Sequence, residues 1–128
     1  MKLDSIHHVA IIGSDYEKTR HFYCDLLGFE QLDKHSRPEK NDILFNVRQG
    51  HLTLEIFIKP DAPRRPQLPA PEHQGLRHLA FRVGDVEALL AEFDCLGIDH
   101  EPMRYDAFDG KKMAFFFDPD GLPLEIHE

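Results

Sequence analysis

Long apolar runs are missing from this sequence, and so is an excess of basic residues. No apolar stretch approaches the roughly 18 residues that a helix needs to cross a bilayer, and residues 1–12 lack the apolar segment of a signal peptide. Lysine and arginine number 15 against 23 acidic residues, so the net charge is −8. Nucleic-acid phosphates are neutralised by basic surfaces, so this acidic chain is not expected to bind nucleic acid. Because the sequence shows neither a membrane-spanning stretch nor a signal peptide, we expect a cytoplasmic protein that does not bind membranes.

Cysteine is also scarce. The chain has two cysteines, Cys24 and Cys95, at matching positions near the ends of two predicted helices. A chain of 128 residues with 41% hydrophobic content can bury a core of its own, which predicts one domain over residues 1–128. Since thiols stay reduced in the cytoplasm, we expect both cysteines to be reduced, buried thiols that carry no chemistry.

An internal repeat is the most informative feature that the sequence does contain. His8 in HHVAII and His78 in RHLAFR are 70 residues apart, and so are Glu55 in LTLEIF and Glu125 in LPLEIH. Each copy of such a repeat is one supersecondary unit that buries its apolar face against a partner. The repeat predicts a first module over about 4–59 and a second over about 75–128, joined by a stiff, proline-rich linker over about 60–74.

The local patterns predict the same order of elements, βαβββ, in both modules. In the first, a strand over 6–12 precedes a helix that begins at the Ser14-x-x-Glu17 capping box and ends at Gly28. Apolar alternation and turn residues then predict three strands, over 29–34, 43–48 and 52–58. In the second module the strand covers 76–83, the helix 85–97, and the last three strands 98–104, 112–117 and 122–127.

The repeated histidines and glutamates have the chemistry of a metal site. Side chains alternate across a strand, so each glutamate shares a face with the histidine of its module, away from the leucines and isoleucines that flank it. A carboxylate buried in an apolar strand is costly without a partner, although either glutamate could also sit on a half-exposed strand and meet water. Two imidazoles and two carboxylates suit Ni²⁺, Co²⁺, Zn²⁺, Mn²⁺ or Fe²⁺.

These segments resemble the vicinal oxygen chelate superfamily, which includes glyoxalase I, methylmalonyl-CoA epimerase, fosfomycin-resistance thiol transferases and extradiol dioxygenases. The likeness is carried by HHVAI, a helix ending in LLGF, LEIF, RHLAFRV and FFFDPDGLPLEI. It implies an α+β fold in which two βαβββ modules form a cupped, barrel-like mixed sheet with flanking helices. It also implies one divalent metal ion per site, with the ligands His8, Glu55, His78 and Glu125.

The complete His-Glu-His-Glu set is similar to that of bacterial glyoxalase I, which favours Ni²⁺ or Co²⁺. The resemblance implies a lyase or isomerase whose metal chelates two neighbouring substrate oxygens and stabilises an enediolate, while Glu125 or Glu55 moves a proton between carbons. The substrate would be a small α-oxo or α-hydroxy carbonyl compound or its thiol adduct. The alternatives are a thiol transferase of the fosfomycin-resistance type, an epimerase, and a non-catalytic binding protein of the bleomycin-resistance type.

The residues around the ligands depart from the glyoxalase I pattern. Ile12 stands where glyoxalase I has an arginine for the glutathione carboxylate, so glutathione or another thiol is not implied as cosubstrate. Arg82 holds the matching place in the second module and could orient an anionic substrate. Lys112 and His127 are further substrate-binding candidates, with surface solvation and a frayed terminus as the alternatives. The resemblance also implies a homodimer with symmetric sites.

Overall fold

Two segments of the chain, Met1–Pro63 and Arg64–Glu128, each fold around a mixed β-sheet of their own. The computed structural model describes residues 1–67 and 72–128. The predicted linker includes residues 68–71, which lie outside the described residues. The α+β class predicted from the sequence is confirmed.

The first unit has a five-stranded sheet. Its elements are β1 (Val9–Gly13), α1 (Tyr16–Arg20) with a π-helical continuation (His21–Leu26), β2 (Glu30–Gln31), β3 (His35–Arg37), a 3₁₀ turn (Pro38–Lys40), β4 (Asp42–Gln49) and β5 (Leu52–Ile58). Strand β5 lies between β1, its parallel neighbour, and β4, its antiparallel neighbour. The last strand of the unit is therefore central in the sheet.

The second unit repeats this arrangement with four strands. Its elements are β6 (Leu79–Arg82), α2 (Val86–Leu96), β7 (Arg104–Tyr105), β8 (Lys112–Phe117) and β9 (Pro123–His127). Strand β9 is parallel to β6 and antiparallel to β8. Among the described residues, no helix is long and apolar enough to cross a membrane.

The first helix begins one residue later than the capping box predicts. Asp15, with an extended φ of −139°, is the N-cap, and its side chain accepts a hydrogen bond from the backbone N–H of Lys18 at 2.9 Å. The predicted Ser14-x-x-Glu17 box is therefore wrong. Asp85 caps α2 in the same way, accepting from the N–H of Ala88. The predicted left-handed ending at Gly28 is confirmed by its φ of +76°.

Four predicted strands differ from those observed by more than one residue. The strand predicted over 29–34 is reduced to β2, and β3 was not predicted because HSR lacks apolar alternation. The strand predicted over 98–104 is reduced to the bridge between His100 and Phe116 and the short β7, because Pro102 has no N–H to give to a ladder. The first strand of each unit begins three residues later than predicted, so His8 and His78 directly precede β1 and β6.

The core of each unit lies on the helix side of its sheet. In β5, Leu54 and Ile56 are fully buried, whereas Thr53, Glu55 and Phe57 are half-buried on the other face. The alternation predicted for this strand is confirmed. The burial expected of both cysteines is wrong, because Cys95 is exposed and Cys24 is only half-buried.

Candidate metal centre

The two repeated glutamates occupy equivalent positions in their sheets. Glu55 lies in β5 between Ala10 of β1 and Asn46 of β4. Glu125 lies in β9 between Ala80 of β6 and Phe115 of β8. Neighbouring strands are about 4.8 Å apart, so an alanine methyl beside each carboxylate leaves room on that face. Both alanines are exposed, so this face is open beside each glutamate.

In the first unit, His8 and Glu55 form a close pair. The His8 Nε2 atom is 3.3 Å from the Glu55 Oε2 atom, with 40% and 27% of the two side chains exposed. The Nδ1 atoms of His7 and His8 are 2.8 Å apart, so one ring donates a hydrogen bond and the other accepts it. His7 therefore helps to orient the ring that faces Glu55.

In the second unit, the equivalent pair is tighter and more buried. The His78 Nε2 atom is 2.9 Å from the Glu125 Oε2 atom, and the side chains are 23% and 9% exposed. The Phe115 ring lies edge-to-face against His78, with ring centroids 5.0 Å apart. Arg77 approaches the other ring nitrogen, Nδ1, at 3.3 Å. The four predicted ligands are thus brought together as two pairs, one in each unit.

The donor set of the two pairs fits a divalent transition metal. Glu125 is a buried carboxylate among apolar neighbours, and among the described residues its ionic partner is His78. Such a carboxylate is stabilised by a further positive charge. An imidazole that binds a metal through Nε2 keeps its proton on Nδ1, so Arg77 would have to turn away from His78 when a metal binds. Imidazole nitrogen and carboxylate oxygen are ordinary ligands of first-row divalent ions.

Arg82 and His127, two predicted substrate-binding residues, lie side by side on the open face of the second unit. They are register partners on β6 and β9. Arg82 is exposed, and in the part of the chain that the structure describes no carboxylate pairs with it. His127 is 3.3 Å from Asp109 and 3.8 Å from Asp106, measured from Nε2 to Oδ2. The Glu128 carbonyl, helped by the charges of Asp109, Glu125 and Asp106, raises the pKa of His127.

Lys112, the third predicted substrate-binding residue, lies elsewhere. It begins β8 three residues before Phe115, so its side chain projects from the opposite face of the strand. Its Nζ atom donates a hydrogen bond to the Glu87 carboxylate of α2, which raises the pKa of the lysine. The structure therefore does not bring Lys112 next to Glu125.

Sequence reasoning missed the two aspartates that contact His127. Asp106 and Asp109 belong to the turn between β7 and β8, and both are close to a histidine 18 or more residues later in the chain. Their Asp-x-x-Asp spacing is typical of an ordinary turn. The antiparallel register of β8 with β9, which pairs Met113 with His127, brings this turn to the end of β9.

The family model for the glyoxalase/bleomycin resistance protein/dioxygenase superfamily matches residues 5–126. The chain belongs to this superfamily. It is 46% identical to the uncharacterized protein YwkD of Bacillus subtilis, over 100% of this chain and 99% of YwkD. The crystal structure of a glyoxalase family protein from Enterococcus faecalis is 54% identical, covers both chains completely and superposes with a TM-score of 0.94.

More distant superfamily members have named activities. The metallothiol transferase FosB of Lysinibacillus sphaericus is 27% identical, over 99% of this chain and 84% of FosB. A 2-epi-5-epi-valiolone epimerase of Actinomyces sp. is also 27% identical, over 95% of this chain and 78% of the epimerase. The fosfomycin resistance protein FosX of Listeria monocytogenes, in complex with Mn(II), shares the fold at 17% identity, with a TM-score of 0.77 over 98% and 93% of the two chains. The superfamily thus contains several enzyme classes.

Proposed function

We propose that this protein is a metal-dependent lyase or isomerase of the glyoxalase type. Its substrate would be a small α-oxo or α-hydroxy carbonyl compound or the adduct of such a compound with a thiol. The observation that carries the proposal is the repeated His–Glu contact, with Nε2–Oε2 distances of 3.3 Å in one unit and 2.9 Å in the other. Each pair offers half of a four-ligand set.

We propose His8, Glu55, His78 and Glu125 as the ligands of one divalent ion. The set favours Ni²⁺ or Co²⁺, with Zn²⁺, Mn²⁺ and Fe²⁺ as alternatives. The Mn(II) complex of FosX supports a divalent ion on this fold. When bound, the ion would supply positive charge at the substrate oxygens.

Glu125 and Glu55 are the proposed bases. A glutamate that has loosened from its ligand role takes a proton from one substrate carbon, and the electron pair of that C–H bond enters the neighbouring carbonyl system, leaving an enediolate. The same carboxyl group then returns that proton to the adjacent carbon, while the hydroxyl proton on the first carbon moves to the neighbouring oxygen and a C=O group forms at the first carbon. Arg82 would bind an anionic substrate group, because its guanidinium is exposed on the face that carries Glu125. His127 lies beside Arg82 and is a second candidate for contact with the substrate.

Metal content is the first test. Protein purified without chelators or an affinity tag is expected to hold about one ion at this four-ligand site per chain, and His78→Ala is expected to lose it. His51→Ala is the matched control, because His51 is exposed in the turn between β4 and β5. An ion that stays equally bound in His78→Ala would contradict the ligand assignment.

Activity is the second test. Metal-loaded protein is assayed with α-oxoaldehydes alone and with their adducts to several thiols, and Glu125→Gln is expected to lower turnover roughly 10²- to 10⁴-fold. Equal turnover by Glu125→Gln and the unmodified protein would rule out Glu125 as the base. Exchange of substrate protons with deuterated water separates proton transfer from simple binding.

An epimerase or thiol transferase is the second candidate, and the 27% identical FosB and valiolone epimerase support it. The substrate screen distinguishes these two classes from a glyoxalase. A non-catalytic binding protein would retain ligand without turnover and without the metal.

We also propose a homodimer in which the first-unit pair of one protomer and the second-unit pair of its partner share an ion.

A further inference from the structure

A second group of possible metal ligands lies in the second unit. It consists of Asp106, Asp109 and His127, and one ligand atom from each lies within 4.8 Å of the other two. The His127 Nε2 atom is 3.3 Å from Asp109 Oδ2 and 3.8 Å from Asp106 Oδ2. His127 and Asp106 are half-buried, and Asp109 is exposed. One imidazole nitrogen therefore faces two carboxylate oxygens.

The turn holds both carboxylates in this orientation. Asp106 Oδ1 accepts hydrogen bonds from the backbone N–H groups of Phe108 at 2.7 Å and Asp109 at 3.2 Å. Asp109 Oδ1 accepts from the N–H of Lys111 at 2.8 Å. In each aspartate one oxygen is occupied by the turn, and the other is presented to His127.

The histidine is oriented independently of the turn. Its Nδ1 atom is 2.8 Å from the backbone carbonyl oxygen of Glu128, and a carbonyl oxygen only accepts, so Nδ1 carries a proton. In the neutral ring the Nε2 lone pair points towards the two carboxylate oxygens, so a divalent cation can take the place that the proton has in the imidazolium ring. A metal-binding histidine typically donates its other N–H to a backbone carbonyl in this way.

We propose that Asp106, Asp109 and His127 form a second divalent-cation site, separate from the His78–Glu125 pair. His127 and Glu125 are two residues apart on β9, so their Cβ atoms are about 7 Å apart. Two carboxylate oxygens and one imidazole nitrogen, completed by water, suit Zn²⁺, Co²⁺ or Mn²⁺. The ion would attach the 106–111 turn, which carries the fully exposed Phe108, to the strand of Glu125.

The structure provides variants that remove the ligands and keep the turn. In Asp106→Asn/Asp109→Asn, each amide oxygen still accepts the backbone hydrogen bonds, while the oxygen facing His127 is replaced by an NH₂ group. Glu92→Gln/Asp99→Asn is the control with the same change of charge, because both of its positions are exposed outside the cluster. The proposal does not depend on the proposed enzymatic function.

The test is calorimetric titration of chelator-stripped protein with Zn²⁺, checked by elemental analysis after gel filtration. Unmodified protein and the Glu92→Gln/Asp99→Asn control are expected to bind about two ions per chain, and Asp106→Asn/Asp109→Asn about one. His78→Ala is also expected to bind about one, because it keeps the second site. The combined His78→Ala/Asp106→Asn/Asp109→Asn variant is expected to bind none.

Two results would decide against one site or the other. If Asp106→Asn/Asp109→Asn binds as many ions as the unmodified protein, the second site does not exist. If His78→Ala binds as many ions as the unmodified protein while Asp106→Asn/Asp109→Asn loses one, the second site stands and the four-ligand site of the proposed function fails.

Discussion

Glu55 and Glu125 have the same position in the repeat but different surroundings. The side chain of Glu55 is 27% exposed, whereas that of Glu125 is 9% exposed and has buried Phe115 as its cross-strand neighbour. Removing a carboxylate from water costs more where the surroundings are apolar. Glu125 therefore depends more than Glu55 on its histidine and on any bound cation.

Asp42 shows how a buried carboxylate is stabilised without a metal. Arg37 donates two hydrogen bonds to it, both at 2.7 Å, and Lys59 donates one at 2.8 Å. These bonds lower the pKa of Asp42 from 3.8 to about 2. Because nothing in the sequence distinguishes Asp42 from the other aspartates, this ion cluster was not predicted.

The acid sensitivity of the fold follows from Asp42. Because its folded-state pKa lies below the unfolded-state value, its contribution to stability is complete above pH 3.8 and is lost as the pH falls towards about 2. Urea unfolding of Asp42→Asn is expected to show lower stability than the unmodified protein at pH 5 and a smaller difference at pH 2.5. Asp99→Asn, an exposed substitution, serves as control. A difference that is constant with pH would disprove this role.

At the scale of elements, the alanines opposite the two glutamates are as characteristic of the repeat as the ligands. Ala80 is exposed on β6, directly opposite Glu125 on β9. Ala10 has the same relation to Glu55. A larger side chain at either position would extend over the neighbouring carboxylate, because cross-strand neighbours have Cβ atoms only about 5 Å apart.

Ala80→Leu is therefore expected to weaken metal binding roughly tenfold or more while changing the free energy of unfolding by only about 0.5 kcal/mol, as surface substitutions usually do. Calorimetric titration with Co²⁺ and thermal unfolding measure the two effects. Ala91→Leu, at an exposed position of α2, is the matched control. Unchanged Co²⁺ affinity in Ala80→Leu would show that the open face is not the route to the glutamate.

At the scale of the whole molecule, the proposed sharing of ions between protomers makes a quantitative prediction. His8→Ala and His78→Ala each break every four-ligand site of their own homodimers. In a mixed dimer with shared ions, one site combines both defects and the other has none. Random exchange gives mixed dimers in half of the molecules, so the mixture is expected to recover about a quarter of the unmodified activity.

The readout is metal-dependent turnover after mixing, unfolding and refolding the two variants together, with each variant refolded alone as control. Sedimentation equilibrium measures the oligomeric state in the same samples. If each ion were bound within one chain, both kinds of chain would stay defective and no activity would return. A monomeric mass would overturn the dimer itself.

The sequence alone determined the duplicated βαβββ plan, the left-handed ending at Gly28 and the pairing of His8 with Glu55 and His78 with Glu125. These features follow from rules of short range: side chains alternate along a strand, and a duplicated unit repeats its geometry. Positions 8 and 55, or 78 and 125, can thus be assigned to one face of their own module. The short strands β2, β3 and β7 were less predictable, because pairing with a neighbouring strand, rather than local propensity, defines them.

Only the tertiary structure decided which side chains from distant parts of the chain contact each other. Asp106 and Asp109 form ion pairs with His127. Lys112 pairs with Glu87 on the opposite face of β8. Asp42 pairs with both Arg37 and Lys59. Each contact depends on strand register and turn geometry, and a shift of one residue in either would change the partners. Local patterns carry no information about that register, so the surroundings of the proposed ligands could not be predicted from the sequence. The ligands themselves could be predicted, because they follow from the internal repeat.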